Sequence, residues 1–157
     1  MNASEHSIVL TRVINASTAD IYAAWTDPQK MELWLGRVWA EVRIGGRYLF
    51  ESPADDTTSY YHSGTYLVLE ENRQVTLSFL AGKPDPTRPS AYQNEFLDIR
   101  LRAITPSLTE LTFINGWNGQ PLGDEFLVAV RSAWADWLDR MELSVLNHSK
   151  AMKSCAV

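Results

Sequence analysis

Along the chain the apolar positions change period twice, and those changes predict the elements. Ser7 to Asn15 (SIVLTRVIN) is dense in β-branched residues between polar flanks, which predicts a first strand. Ser17-Thr18-Ala19-Asp20 then reads as a capping box ahead of an apolar stripe of Ile21, Ala24 and Trp25, so a short helix starts there. Asp27-Pro28 restarts the pattern, because Asp caps helices well and Pro is tolerated in the first turn. Met31, Trp34 and Leu35 recur at helical spacing up to Gly36.

From Val38 the period falls to two. Val38, Ala40, Val42 and Ile44 alternate with Trp39, Glu41 and Arg43, and Gly45-Gly46 makes a tight turn into a strand carrying Tyr48 and Phe50. After a break over Ser52 to Ser59, strands are expected at Tyr60 to Glu70, Val75 to Leu80, Tyr92 to Ile104 and Leu108 to Asn115. Gly116 to Gly123 reads as the turn into the last element. There Phe126, Val130, Trp134, Trp137, Met141 and Val145 form one helical stripe, flanked by Leu127 and Leu138, within a long helix from Asp124 to about Asn147. That stripe needs an apolar partner, and one face of the sheet is the only surface large enough. The order predicts an α+β fold with two short helices after the first strand and a six- to seven-stranded antiparallel sheet packed on a long C-terminal helix. One domain spans 1–157, with its core at about 7–147 and a flexible tail at 148–157.

Composition narrows the function classes more than it names one. The chain has 157 residues, 45% of them hydrophobic, enough for one core without disulfides or a structural metal. A net charge of −5 offers no footprint for nucleic acid and disfavours anionic membranes. Cys155 is the single cysteine, so neither an internal disulfide nor a multi-cysteine metal site can form. His6, His62 and His148 are scattered, and neither a Gly-x-Ser-x-Gly elbow nor a Walker loop occurs, so no metal and no cofactor is implied. With no basic, apolar leader and no run approaching about 18 apolar residues, a cytoplasmic location is expected.

Ala24-Trp25-Thr26-Asp27-Pro28, Trp34, Arg43-Ile44-Gly45-Gly46-Arg47-Tyr48, Gly64-Thr65-Tyr66, Thr109-Glu110-Leu111-Thr112-Phe113 and the Trp-rich last helix occur in that order. In order and spacing, from about Val13 to Leu146, the chain resembles the activator of heat-shock protein 90 ATPase homologue family, within the START and Bet v 1-like helix-grip superfamily. It departs from many members in carrying Trp34-Leu35 where they have adjacent Trp residues, and in a long Gly82 to Tyr92 connection, read as a lid or an oligomer contact. The resemblance implies a helix-grip fold with a cavity between sheet and long helix. It also places Trp34, Tyr48, Phe50, Phe79, Phe113, Val130 and Trp134 around that cavity as ligand-binding candidates, whereas Trp25 reads as core.

Among polar residues, Glu95 continues the Leu97, Ile99, Leu101 face, which leaves two readings: an edge-strand carboxylate in water, the weightier of the two, or an inward carboxyl suited to proton transfer. His62 is the second candidate for catalysis, and Arg100, sharing a face with Asp98 and Arg102, reads as solvent-exposed. Three functions compete on one fold. The leading expectation is binding of a small apolar or aromatic molecule. The others are a cyclase- or hydrolase-like enzyme using Glu95 or His62 in the same cavity, and a protein-interaction module, either a co-chaperone-like partner of a chaperone or a homodimer.

Overall fold

The computed structural model describes residues 4–53, 56–81 and 92–155. Its elements run β1 (His6–Ile14), α1 (Thr18–Thr26), α2 (Pro28–Leu35), β2 (Arg37–Ala40), β3 (Arg47–Pro53), β4 (Ser59–Glu70), β5 (Gln74–Ser78), β6 (Leu80–Ala81), β7 (Tyr92–Thr105), β8 (Leu108–Gly119) and α3 (Asp124–Cys155). Seven strands hydrogen-bond antiparallel in the order β1-β8-β7-β5-β4-β3-β2, and β6 pairs with β4 beyond the end of β5. The fold is α+β, the helix-grip arrangement that the order of periods predicts.

Local chemistry starts both short helices. The Ser17 hydroxyl accepts from the Asp20 N–H at 3.1 Å, and the Asp27 carboxylate accepts from the Gln29 N–H at 3.0 Å with Pro28 in the first turn. Their apolar faces, Ile21, Ala24, Trp25, Met31 and Trp34, close one end of the sheet over Phe113, Leu111 and Tyr66, all buried. From the other side α3 contributes Leu138, Met141 and Val145.

Three expected boundaries move. β2 stops at Ala40, because Glu41 to Gly46 turns back on itself: the Gly46 N–H donates to the Arg43 carbonyl and the Gly45 N–H crosses to the Tyr66 carbonyl. Val42 and Ile44, read as strand positions, are therefore exposed. β8 continues past Asn115 to Gly119, where its backbone still pairs with Tyr92 and Gln93 of β7. α3 extends to Cys155, so the region expected to be a tail is helical through residue 155 and Cys155 lies in the helix. The Gly82 to Tyr92 connection lies outside the described residues up to Ala91.

The long helix is gripped at its middle and C-terminal half. Arg12 on β1 reaches across to pair with Asp139, approaches Glu142 at 3.4 Å and donates to the Ala135 carbonyl at 3.1 Å. Toward the N-terminus the expected burial fails, since Phe126 is 70% and its flank Leu127 37% exposed. Over those first turns α3 faces a gap, walled by Trp134 and Trp137 among others, rather than packed strand side chains. No helix among the described residues is long and apolar enough to cross a membrane.

Candidate functional site

The gap left under the first turns of α3 is a cavity of about 370 Å³. Its sheet wall is His62 on β4, Phe79 between β5 and β6, Glu95 at the start of β7, and Asn115 and Trp117 near the end of β8. Facing them on α3 are Phe126, Val130, Ala133, Trp134 and Trp137, with Leu122 on the approach. These strand positions meet because β7 enters, and β8 leaves, at the end of the sheet where α3 begins. The exposed Phe126 marks the mouth.

Aromatic rings stack across the wall. His62 lies nearly parallel to Phe79, centroids 5.3 Å apart, while Trp134 meets Phe79 edge-on at 5.4 Å and Trp137 meets His62 edge-on at 6.4 Å. Below them a smaller void of about 20 Å³ is bounded by Trp25, Trp34 and Phe50 together with the same four rings. The Trp25 indole N–H is buried there with no hydrogen-bond partner among the described residues.

One polar chain crosses the cavity. The Trp134 Nε1–H donates to Asn115 Oδ1 at 3.0 Å, and Asn115 Nδ2 donates to Glu95 Oε2 at 2.9 Å and toward the Phe96 carbonyl at 3.3 Å. Accepting the indole proton fixes which end of the Asn115 amide is which, so the NH₂ must face the carboxylate. Burial pushes the Glu95 carboxyl above its ordinary value, against the opposing pull of the Asn115 bond, and burial lowers His62.

These shifts have opposite consequences for stability. A carboxyl raised in the fold penalises folding above its folded pKa, and that penalty disappears as pH falls toward the ordinary value of 4.5. Glu95→Gln should therefore be more stable than the parent chain at neutral pH, with the two converging below pH 4.5. A histidine lowered in the fold supports folding above its ordinary value of 6.5 and loses that support as pH falls below it. Relative to His62→Phe, the parent chain should lose stability on acidification through that window. Urea unfolding of the three proteins at stepped pH measures both slopes, and parallel curves would refute both assignments.

The structure sorts the sequence-predicted residues into two groups. Phe79, Val130, Trp134, Glu95 and His62 line the cavity. Trp34, Tyr48, Phe50 and Phe113 do not: they are buried beneath it. Trp34 donates its Nε1–H to the Ala24 carbonyl and packs edge-on against Trp25, whereas Tyr48 stacks on Phe50 and donates its hydroxyl to the Ser78 carbonyl. Each is committed to the core by those contacts. Arg100 is exposed and pairs with the buried Asp98 at 2.8 Å on the outer face.

Sequence reasoning missed Asn115, Trp117, Phe126, Ala133 and Trp137 as lining residues. Asn115 had left a signal: it falls on the inward period-two run Thr109, Leu111, Phe113, Asn115, Trp117, where a polar side chain needs a buried partner. Among the described residues no three His, Cys, Asp or Glu side chains converge as a metal site would require.

No curated protein sequence matches the chain. Solved structures do, at low identity. A protein from Mesorhizobium loti superimposes with a TM-score of 0.69 at 19% identity, covering 91% of this chain and 98% of that one. A protein from Chromobacterium violaceum gives 0.70 at 20%, covering 88% and 96%. The Aha1 dimer from Colwellia psychrerythraea gives 0.68 at 16%, covering 89% and 96%. At these identities the likeness is one of fold. The model of the family described as activator of Hsp90 ATPase homolog 1-like protein matches residues 15–145, from the end of β1 to the buried half of α3, and the chain belongs to that family.

Proposed function

We propose that the chain binds a small, mainly apolar or aromatic molecule between the sheet and the first turns of α3. The observation that carries this reading is the cavity itself. About 370 Å³ bounded largely by aromatic and aliphatic side chains, with a mouth and a few placed polar groups, has the size and make-up of a small-molecule pocket. Native mass spectrometry of freshly purified protein, followed by denaturation to release and weigh any guest, is the direct test. A stoichiometric adduct is expected in the parent chain. It should be missing in Val130→Trp, which fills the cavity from the helix side. Adducts that persist in Val130→Trp would place binding elsewhere and overturn the reading. The same spectra give the oligomeric state, of interest because the Colwellia neighbour is a dimer.

A second reading, catalysis in the same cavity, has one observation in its favour: Glu95 and His62 line it together, and burial moves them in opposite directions. Incubating the released guest with the parent chain should then convert it, and Glu95→Gln or His62→Phe should slow conversion by about 100-fold or more. An unchanged guest removes the catalytic role.

A further inference from the structure

Resting on the cavity-binding reading, we infer that the molecule bound there carries a protonated amine, which Glu95 holds. The hydrogen-bond chain across the cavity runs in one direction. Trp134 donates to Asn115, and Asn115 donates to Glu95 Oε2. At its end is an acceptor with capacity left over, because Oε1 of Glu95 makes no hydrogen bond among the described residues. The complementary group on a guest is therefore a donor. A carbonyl or carboxylate guest would meet an oxygen facing an oxygen.

Charge selects among donors. The described lining of the cavity contains no Lys or Arg, and its other titratable side chain, His62, is stacked on Phe79, where burial disfavours its charged form. A partly buried carboxylate with no cation in the wall is costly, and a guest ammonium supplies the missing charge through a charge-assisted bond. Arg140 does approach the aromatic cluster, 5.1 Å above the Trp137 ring, but it is not part of the cavity wall. Trp134 and Phe79 line the same cavity, and aromatic rings are favourable neighbours for a cation. A chain with a net charge of −5 also draws cations rather than anions toward it. Aromatic walls and one tethered carboxylate together form a site for an apolar or aromatic amine.

Three probes of one size and shape test this by calorimetric titration of the purified chain at about pH 7.5: 1-naphthylmethylamine, 1-naphthylmethanol and 1-naphthoate. The amine should bind at least about tenfold more tightly than the alcohol, with naphthoate weakest. In Glu95→Gln the amine should lose that advantage, falling to within about twofold of the alcohol, while the alcohol's own affinity is retained. Alcohol and amine binding equally in the parent chain would overturn the inference and leave the cavity reading standing. So would an amine preference that survives Glu95→Gln. If none of the three binds, both fail together.

Discussion

Phe113→Ala is expected to destabilise the fold by about 3–5 kcal/mol, lowering the thermal midpoint by on the order of 10 °C. Phe113 is fully buried on β8, opposite Leu10 on β1 and Ile99 on β7, with its ring 4.9 Å from Trp134 and 6.4 Å from Trp25. Nothing can collapse easily into the space it would leave, because the strands on either side are tied by continuous ladders. The void would open directly behind Trp134, so the cavity wall would lose its backing as well. Phe126→Ala removes the same side chain from a position 70% exposed at the cavity mouth and should cost under about 0.5 kcal/mol. Urea unfolding of the pair measures the contrast. A Phe113→Ala change below about 1 kcal/mol would show that the ring is not a core element.

That contrast also marks how far sequence reasoning reached. Periodicity located every major element because each buries one face, and the period of the buried face is written in the residues. It misjudged Phe126 because a helical stripe records which residues could be buried together, not how far along the helix the partner surface continues. The partner gives out where the cavity opens beneath the first turns of α3, a matter of how elements distant in sequence meet. Trp34, Tyr48 and Phe50 are cavity candidates because the family resemblance places the second helix and the inward strand faces around it, and the residues themselves cannot refine that. An inward aromatic looks the same in sequence whether its ring packs on another ring or lines a sizeable cavity, and here Trp25 packs on Trp34 and Tyr48 on Phe50, with only a void of about 20 Å³ beside them. Glu95 was only half legible: a charge on an inward strand face breaks an otherwise apolar run, but the same position at a strand's start suits a carboxylate in water equally well. Asn115 broke the β8 run in the same way. Its meaning appears only when β7 and β8 are set side by side, with Asn115 opposite Leu97 and one pleat from Glu95.

Gly64→Ala should be nearly as damaging as Phe113→Ala, at about 3 kcal/mol, for a reason of space rather than lost burial. Gly64 sits where β4 changes partner: Tyr66 pairs with Leu77 of β5, whereas Ser63 pairs with Leu80 of β6. At this crossing Ser78 folds over β4, its hydroxyl accepting from the Thr65 N–H at 2.8 Å and its carbonyl accepting from the Tyr48 hydroxyl. A Cβ on Gly64 would fall on that same Ser78 carbonyl oxygen, closer than real Cβ contacts come, and a backbone carbonyl cannot swing aside as a flexible side chain could. The next residue, Phe79, is a wall of the cavity and is itself tethered by its N–H to the Glu95 carbonyl at 2.9 Å. Displacing Ser78 therefore displaces Phe79, and the variant should lose naphthyl-probe affinity even under conditions where it remains folded. Gly123→Ala, with nothing within 4 Å of the added carbon, should cost under about 1 kcal/mol and leave probe binding intact. Equal unfolding midpoints for the two glycine variants would mean that β4 and Ser78 can part without cost. The strand crossing would then have no part in setting the cavity wall.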